Sequence, residues 1–201
     1  MKRPYKLLTA VIGACWVASP SFATAELPSI RFDRIQPLGL SAGSALEVEV
    51  LGRDTEDVQS LRFDHVGLSA ELVKPGRFKV TSQADVPAGT YEVRLVGKYG
   101  VSNPRILSVT HGLADVPETE PNNEPPQAQA VALNSAINGT SDGNGQDVFK
   151  FSLKKGQRVV IDCQAMKLES QLDANLILNN ASGQSLASSS DYHGRDPFVD
   201  F

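Results

Sequence analysis

The stretch Glu118-Thr119-Glu120-Pro121-Asn122-Asn123-Glu124-Pro125-Pro126 sets the tightest limit on how this chain can fold. Its prolines lack the N–H that a helix interior or a central strand requires, so neither can run through it. What remains is a stiff segment dense in carboxylate and amide oxygens. A second oxygen-rich loop, Asp142-Gly143-Asn144-Gly145-Gln146-Asp147, leads directly into the alternating run Val148-Phe149-Lys150-Phe151-Ser152-Leu153. Two sets of hard donors thus flank the start of one β segment, and such donors suit Ca²⁺ better than a transition metal, which prefers imidazole or thiolate. The candidate ligands are Glu118, Glu120, Asn122 and Asn123 from the first stretch, with Asp142 and Asp147 from the second. A solvated acidic linker with no ion is the plain alternative, and the residues alone leave both readings open.

Composition narrows the partners. The 201 residues are 41% hydrophobic and 21% charged, ordinary for a soluble globular protein and enough for two small domains or one large one. The net charge is −4, and lysine and arginine are scattered with no basic stripe, which argues against a nucleic-acid partner.

The N-terminus reads as an export signal: Lys2, Arg3 and Lys6 precede an apolar run from Leu7 to Ala18, and Ala23-Thr24-Ala25 offers an A-x-A cleavage site. The run is about a dozen residues, short of the roughly 20 needed to span a bilayer, and no later segment approaches that length. Ile12-Gly13-Ala14-Cys15 also resembles a lipobox, so acylation at Cys15 is the minor alternative to cleavage after Ala25. In either case Cys163 has no partner for an internal disulfide and is expected as a small apolar residue buried on a strand.

From Leu27 to His111 short alternating segments predominate. Leu46, Val48 and Val50 alternate with Glu47 and Glu49, and Tyr91, Val93 and Leu95 with Glu92 and Arg94, the period of a half-buried strand. Val86-Pro87-Ala88-Gly89 fits a type I turn. Further strands are expected at Ile30–Ile35, Gln59–Phe63, Leu68–Leu72, Phe78–Thr81 and Ile106–Val109. Seven short strands over this length predict an immunoglobulin-like sandwich. Pro28-Ser29-Ile30, Gln36-Pro37-Leu38-Gly39, Gly43, Gly52 and the strand Gly89-Thr90-Tyr91-Glu92-Val93 resemble the IPT/TIG-like immunoglobulin folds, which implies a spacer or binding unit.

In the second part, Phe149, Phe151 and Leu153 would share one strand face and Val159, Ile161 and Cys163 the next, with Lys154-Lys155-Gly156-Gln157 as the hairpin turn between them. Gln127–Leu133 offers a short helical turn at most. Several motifs here resemble the bacterial pre-peptidase C-terminal domain, a β-sandwich found beside secreted peptidases: Glu118-x-Glu120-Pro121-Asn122-Asn123, Ala128 and Ala130, Gly139, Asp147-Val148-Phe149-Lys150-Phe151, Gly156 with Val159-Val160-Ile161, Leu172-Asp173-Ala174-Asn175-Leu176, and Ser182-Gly183. Its calcium-binding relatives, such as the collagen-binding domains of clostridial collagenases, use an acidic linker and aspartates before the core strand as ligands. The resemblance implies the same role for the six residues above, with Asn123 a neutral donor in place of an aspartate.

Other motifs lack their context. Gly39-Leu40-Ser41-Ala42-Gly43 has the G-x-S-x-G spacing of a nucleophile elbow, but an alternating strand follows it where a helix is required. Asp142-x-Asn144-x-Gln146 opens like an EF-hand loop and then has Asp147 for the glycine and Leu153 for the final glutamate. His65, His111 and His193 are expected as solvated loop residues, and no zinc spacing occurs. Asn138-Gly139-Thr140 and Asn180-Ala181-Ser182 fit both sequons and ordinary turns.

The chain is therefore expected to be all-β, with a signal peptide at 1–25, an immunoglobulin-like sandwich at 26–112, an acidic proline-rich linker at 113–126 and a jelly-roll-like sandwich at 127–201. The last is expected to be incomplete, because Pro197-Phe198-Val199-Asp200-Phe201 stops without a turn. The expected function is a non-catalytic exported module, calcium-stabilised, that acts as a spacer or engages an extracellular protein or polysaccharide. The alternative is the accessory part of a secreted, subtilase-like peptidase whose catalytic domain is covalently linked but outside these residues. Glycan binding is disfavoured by aromatic content, at 6% of the chain.

Overall fold

Period-two alternation in the first half becomes two packed sheets. The computed structural model describes residues 27–143 and 145–201; the signal peptide and the Cys15 alternative lie outside the described residues. The first nine strands are β1 (Arg31–Gln36), β2 (Gly39–Ser41), β3 (Ala45–Arg53), β4 (Val58–Phe63), β5 (Leu68–Lys74), β6 (Arg77–Ser82), β7 (Gly89–Gly97), β8 (Gly100–Val101) and β9 (Arg105–Thr110). One sheet runs β1-β3-β6-β5 and the other β2-β9-β7-β4, with β8 paired to β7. Taking β1, β3, β4, β5, β6, β7 and β9 as strands A to G, this is the ABED and GFC order of an immunoglobulin sandwich, with β2 added parallel to β9.

The inward residues are the ones the alternation selects. Val48, Val50, Phe78, Val80, Val93, Leu95, Leu107 and Val109 are all buried, joined from β1 by Phe32 and Ile35. At the corner before β7, the Tyr91 hydroxyl donates to the carbonyl of Pro87 (2.7 Å), the tyrosine-corner arrangement of such sandwiches. The expected turn at Val86–Gly89 is displaced. The Val86 N–H closes a turn onto the Gln83 carbonyl (3.3 Å), because Val86 is fully buried and cannot head a solvent loop. Gly39–Ser41, the start of the G-x-S-x-G spacing, is strand β2, since the β9 edge still offers unpaired backbone groups there.

The second part is built from pairs of short strands: β10 (Ala114–Pro117) with β12 (Ser135–Asn138), β11 (Gln129–Ala130) with β13 (Phe149–Lys150), β14 (Val160–Asp162) with β17 (Phe198–Asp200), and β15 (Leu176–Asn179) with β16 (Ser185–Ser189). Three expectations change here. The segment 113–126 is not a free linker: its first residues form β10, parallel to β12, and the Asp115 carboxylate accepts from the Ser41 N–H (2.9 Å) and the Ser44 hydroxyl (3.1 Å) of the first sandwich. Pro125 and Pro126 start the helical turn, a 3₁₀ turn at Pro125–Gln127, because proline suits the first helical positions. The turn at Lys154–Gln157 does close, with the Gln157 N–H on the Lys154 carbonyl (2.9 Å), yet β14 pairs with β17 and not with β13.

Alternation holds in this half while burial does not follow. Phe149, Phe151 and Leu153 are half-buried between exposed Lys150, Ser152 and Lys154. Cys163 is also half-buried and lies one residue past β14, so it is not the sealed core thiol expected. Burial still pushes its pKa up, with Asp196 and Asp162 adding to the effect.

Candidate metal centre

Strand β10 carries Glu118 at its exit, and the tight path through Glu120 and Pro121 turns the following residues back beneath it. The Asn122 N–H donates to Glu120 Oε2 (3.0 Å), and Asn122 Nδ2 donates to Glu118 Oε1 (3.0 Å), so the asparagine holds both glutamates. Glu118 Oε2 accepts from the Thr140 N–H (2.8 Å), at the end of the neighbouring strand β12. A Cβ at Gly139 would meet that same Oε2, so a larger residue there would push the Glu118 carboxylate out of its place. From the other side, the Val148 N–H donates to the Asn122 carbonyl (2.8 Å), which draws Asp147 against the glutamates.

Carboxylate oxygens of Glu118, Glu120 and Asp147 consequently lie within 4.8 Å of one another. Oxygens bound to a single Ca²⁺ at 2.3–2.6 Å can be at most about 5 Å apart, so this spacing fits one shared ion. The cost of assembling the group falls on Asp147, whose pKa is raised first by desolvation and then by the charges of Glu118, Glu120 and Asp142.

Two further oxygens point to the same chemistry. Asn122 is fully buried, and its Oδ1 has no hydrogen-bond partner; Asn123 Oδ1 is buried and equally unpartnered. A buried acceptor without a donor costs on the order of 1–3 kcal/mol. A hard cation among the carboxylates is the kind of ligand that oxygen donors of this type satisfy. The three converging carboxylates make an all-oxygen donor set, the kind that suits Ca²⁺.

Of the six residues singled out in the sequence, Glu118, Glu120 and Asp147 converge, and Asn122 hydrogen-bonds both glutamates. Asp142 does not join the group. It is exposed, with its carboxylate beside the backbone of Gly145, and acts on Asp147 only through its charge. Sequence reasoning missed the supporting shell: the Thr140 N–H on Glu118, Gln146 Nε2 donating to the Asn123 carbonyl (3.2 Å), and Gln129, which accepts from the Thr119 N–H (2.8 Å) and donates to the Pro117 carbonyl (3.0 Å). Backbone N–H groups and glutamines carry no motif that would have signalled them.

Ser41, the serine of the G-x-S-x-G spacing, is buried on β2. Its hydroxyl contacts the Leu113 carbonyl, Thr110 Oγ1 (3.1 Å) and Asp115 Oδ1 (3.2 Å), and none of these partners is a histidine. His65 and His111 are tied to the fold: His65 Nδ1 accepts from the Gly67 N–H (3.0 Å), and His111 Nε2 pairs with the Val86 carbonyl (2.6 Å).

No family model matches this sequence. No curated protein matches it either. Among solved structures, the chain is similar to SGBP-B of the Bacteroides ovatus mixed-linkage glucan utilization locus, determined in complex with a mixed-linkage heptasaccharide. The identity is 13% and the TM-score 0.31, and the match covers 80% of this chain but only 33% of that one. The heptasaccharide is a property of that protein. Among the described residues no helix is long and apolar enough to cross a membrane.

Proposed function

We propose that this chain is an exported, non-catalytic binding module in which an immunoglobulin-type sandwich carries a second β unit organised by Ca²⁺. The carrying observation is the fully buried Asn122, whose Oδ1 is unpartnered while its backbone and amide N–H groups hold Glu120 and Glu118. Glu118, Glu120 and Asp147 would supply the charged ligands, and Asn122 and Asn123 the neutral ones. The ion would relieve the repulsion among the carboxylates and tie the exit of β10 to the entrance of β13. Its role on this reading is structural: it fixes the loops through which the chain enters its second half.

Neutral amides among the ligands keep the affinity low, with a dissociation constant on the order of 10⁻⁴ to 10⁻³ M, the range of extracellular modules. Millimolar calcium, about one- to tenfold over that constant, should stabilise the folded state by about 0.4–1.4 kcal/mol. The test is calorimetric melting of the full chain in chelator and in millimolar Ca²⁺. A rise in the melting temperature that vanishes in Glu120→Gln and Asp147→Asn supports the reading. Identical traces with and without calcium would reduce 118–123 to a packed but ion-free turn.

A further inference from the structure

Away from the carboxylate cluster, the end of β14 and the loop 190–197 enclose an open cavity of about 500 Å³, lined by Asp162, Gln164, Lys167, Tyr192, His193 and Asp196 among others. That volume falls within the roughly 300–1,000 Å³ of small-molecule sites.

Its framework is held firmly. Asp196 is buried, and its carboxylate accepts the N–H groups of Ala165 (3.1 Å), Met166 (2.8 Å) and Lys167 (2.8 Å), which staples the loop to the 3₁₀ turn at Met166–Leu168. The loop closes on itself as well. The N–H groups of Tyr192 and His193 donate to the Asp196 carbonyl, and the turn between them passes through Gly194 at φ +74°, a conformation that favours glycine.

On this frame Tyr192 is presented as a platform. Its ring stacks on Phe198, with centroids 5.1 Å apart and planes at 26°, and His193 meets both rings edge-on. Tyr192 is nevertheless 65% exposed, so much of the residue remains open to solvent. An exposed aromatic ring supported from behind, at the rim of a polar cavity, suits a flat ligand with an apolar face.

The polar side of the cavity limits what that ligand can be. Gln164 Nε2 donates to Asp162 Oδ2 (2.6 Å), so a carboxylate and an amide stand together and offer acceptors and donors to adjacent hydroxyls; Lys167 adds a cationic donor. Asp162 and Asp196 outweigh Lys167 in charge, which disfavours phosphate, sulfate or uronate groups.

We infer that this cavity is a glycan subsite: a neutral pyranose unit of a polysaccharide stacks its C–H face on Tyr192 and pairs its hydroxyls with Asp162, Gln164 and Lys167. The inference deepens the reading of the chain as a binding module and rests on that reading, but not on the cation.

The experiment is affinity electrophoresis of the full chain in gels containing a soluble β-glucan, a galactomannan or a xylan, with gelatin as the protein alternative. Retardation by at least one polysaccharide is expected. Tyr192→Ala should weaken it about tenfold, the loss of one stacked ring, while Tyr192→Phe retains it. Gln164→Ala should weaken it, and Tyr99→Ala, which removes an exposed tyrosine of the first sandwich, should leave it unchanged. Normal migration in all three polysaccharides, binding indifferent to Tyr192→Ala, or retention by gelatin alone would overturn the inference. A urea midpoint for Tyr192→Ala equal to that of the parent separates loss of stacking from loss of fold. Glycan binding without a calcium-dependent melt would sink the cation and leave this site standing, and the converse result would sink this site alone.

Discussion

Asn103 supplies to β1 what its neighbouring strand leaves unpaired. The register between β1 and β3 shifts at Phe32–Arg34, and there Asn103 Oδ1 accepts from the Phe32 N–H (2.9 Å) while Nδ2 donates to the Phe32 carbonyl (2.8 Å). One side-chain amide thus stands in for a strand partner and anchors a phenylalanine with no exposed surface. Asn103→Ala should leave both backbone groups without that partner and destabilise the chain by about 1–3 kcal/mol, read as a lower urea midpoint with an unchanged slope. A midpoint equal to that of the parent would mean that water replaces the amide at no cost. Nothing around Asn103 announces this role, since Ser102-Asn103-Pro104 reads as an ordinary loop. The Tyr91 hydroxyl is similar: its alternation placed the ring, but only the folded corner gives the hydroxyl its carbonyl.

At the level of elements, the approach of β10 to β13 is where charge is concentrated, and Asp147, two residues before β13, bears it. A carboxyl whose pKa is raised on folding binds its proton more tightly in the folded chain than in the unfolded one. Its favourable contribution is therefore complete below the unfolded value and is lost as pH rises through the folded value. In chelator, stability should accordingly fall as pH climbs just above the ordinary aspartate value of 3.8, and Asp147→Asn should flatten that slope. Denaturation midpoints across this window provide the measurement, and an unchanged slope in the variant would place the strain elsewhere. Bound calcium should act in the opposite sense, because it favours the ionised carboxylate and competes with the proton.

Across the whole molecule, burial is uneven. The apolar core forms one cluster running from Ile30 to Val109, whereas after residue 113 the buried apolar side chains among those described are Ala128, Ala165, Leu168, Pro197 and Val199. Val160, Ile177, Leu186 and Phe201 remain exposed in the second half. The halves are tied by polar contacts, Asp115 to Ser41 and Ser44, and Arg105 to Glu169 (3.1 Å), which position more than they stabilise. Amides of β3, β6 and β7 should exchange only through global opening, while those of β14, β15 and β16 exchange through local opening at a much lower free energy. Hydrogen-exchange mass spectrometry on the full chain resolves the two classes, and uniform protection would show one cooperative unit.

Strand existence and facing came from the residues themselves. The alternation of Leu46–Val50, Tyr91–Leu95 and Phe149–Leu153 is a property of adjacent positions and survives whatever the strand pairs with. The same is true of the oxygen-rich character of Glu118–Asn123, and of the reading of the whole as all-β. Partner choice was not legible, because it is settled by groups far apart in the chain. Val160–Asp162 faces Phe198–Asp200 instead of the strand one turn away, and Ala114–Pro117 leaves the expected linker to pair with Ser135–Asn138. Convergence of Glu118, Glu120 and Asp147, and the exclusion of Asp142 from them, follows from those pairings. So does the Tyr192 platform, whose ring finds Phe198 only when the loop 190–197 closes over Asp196. Period and composition act over a few residues, whereas backbone pairing and burial of charge are decided by which distant groups can be satisfied together, and only the tertiary fold makes that choice.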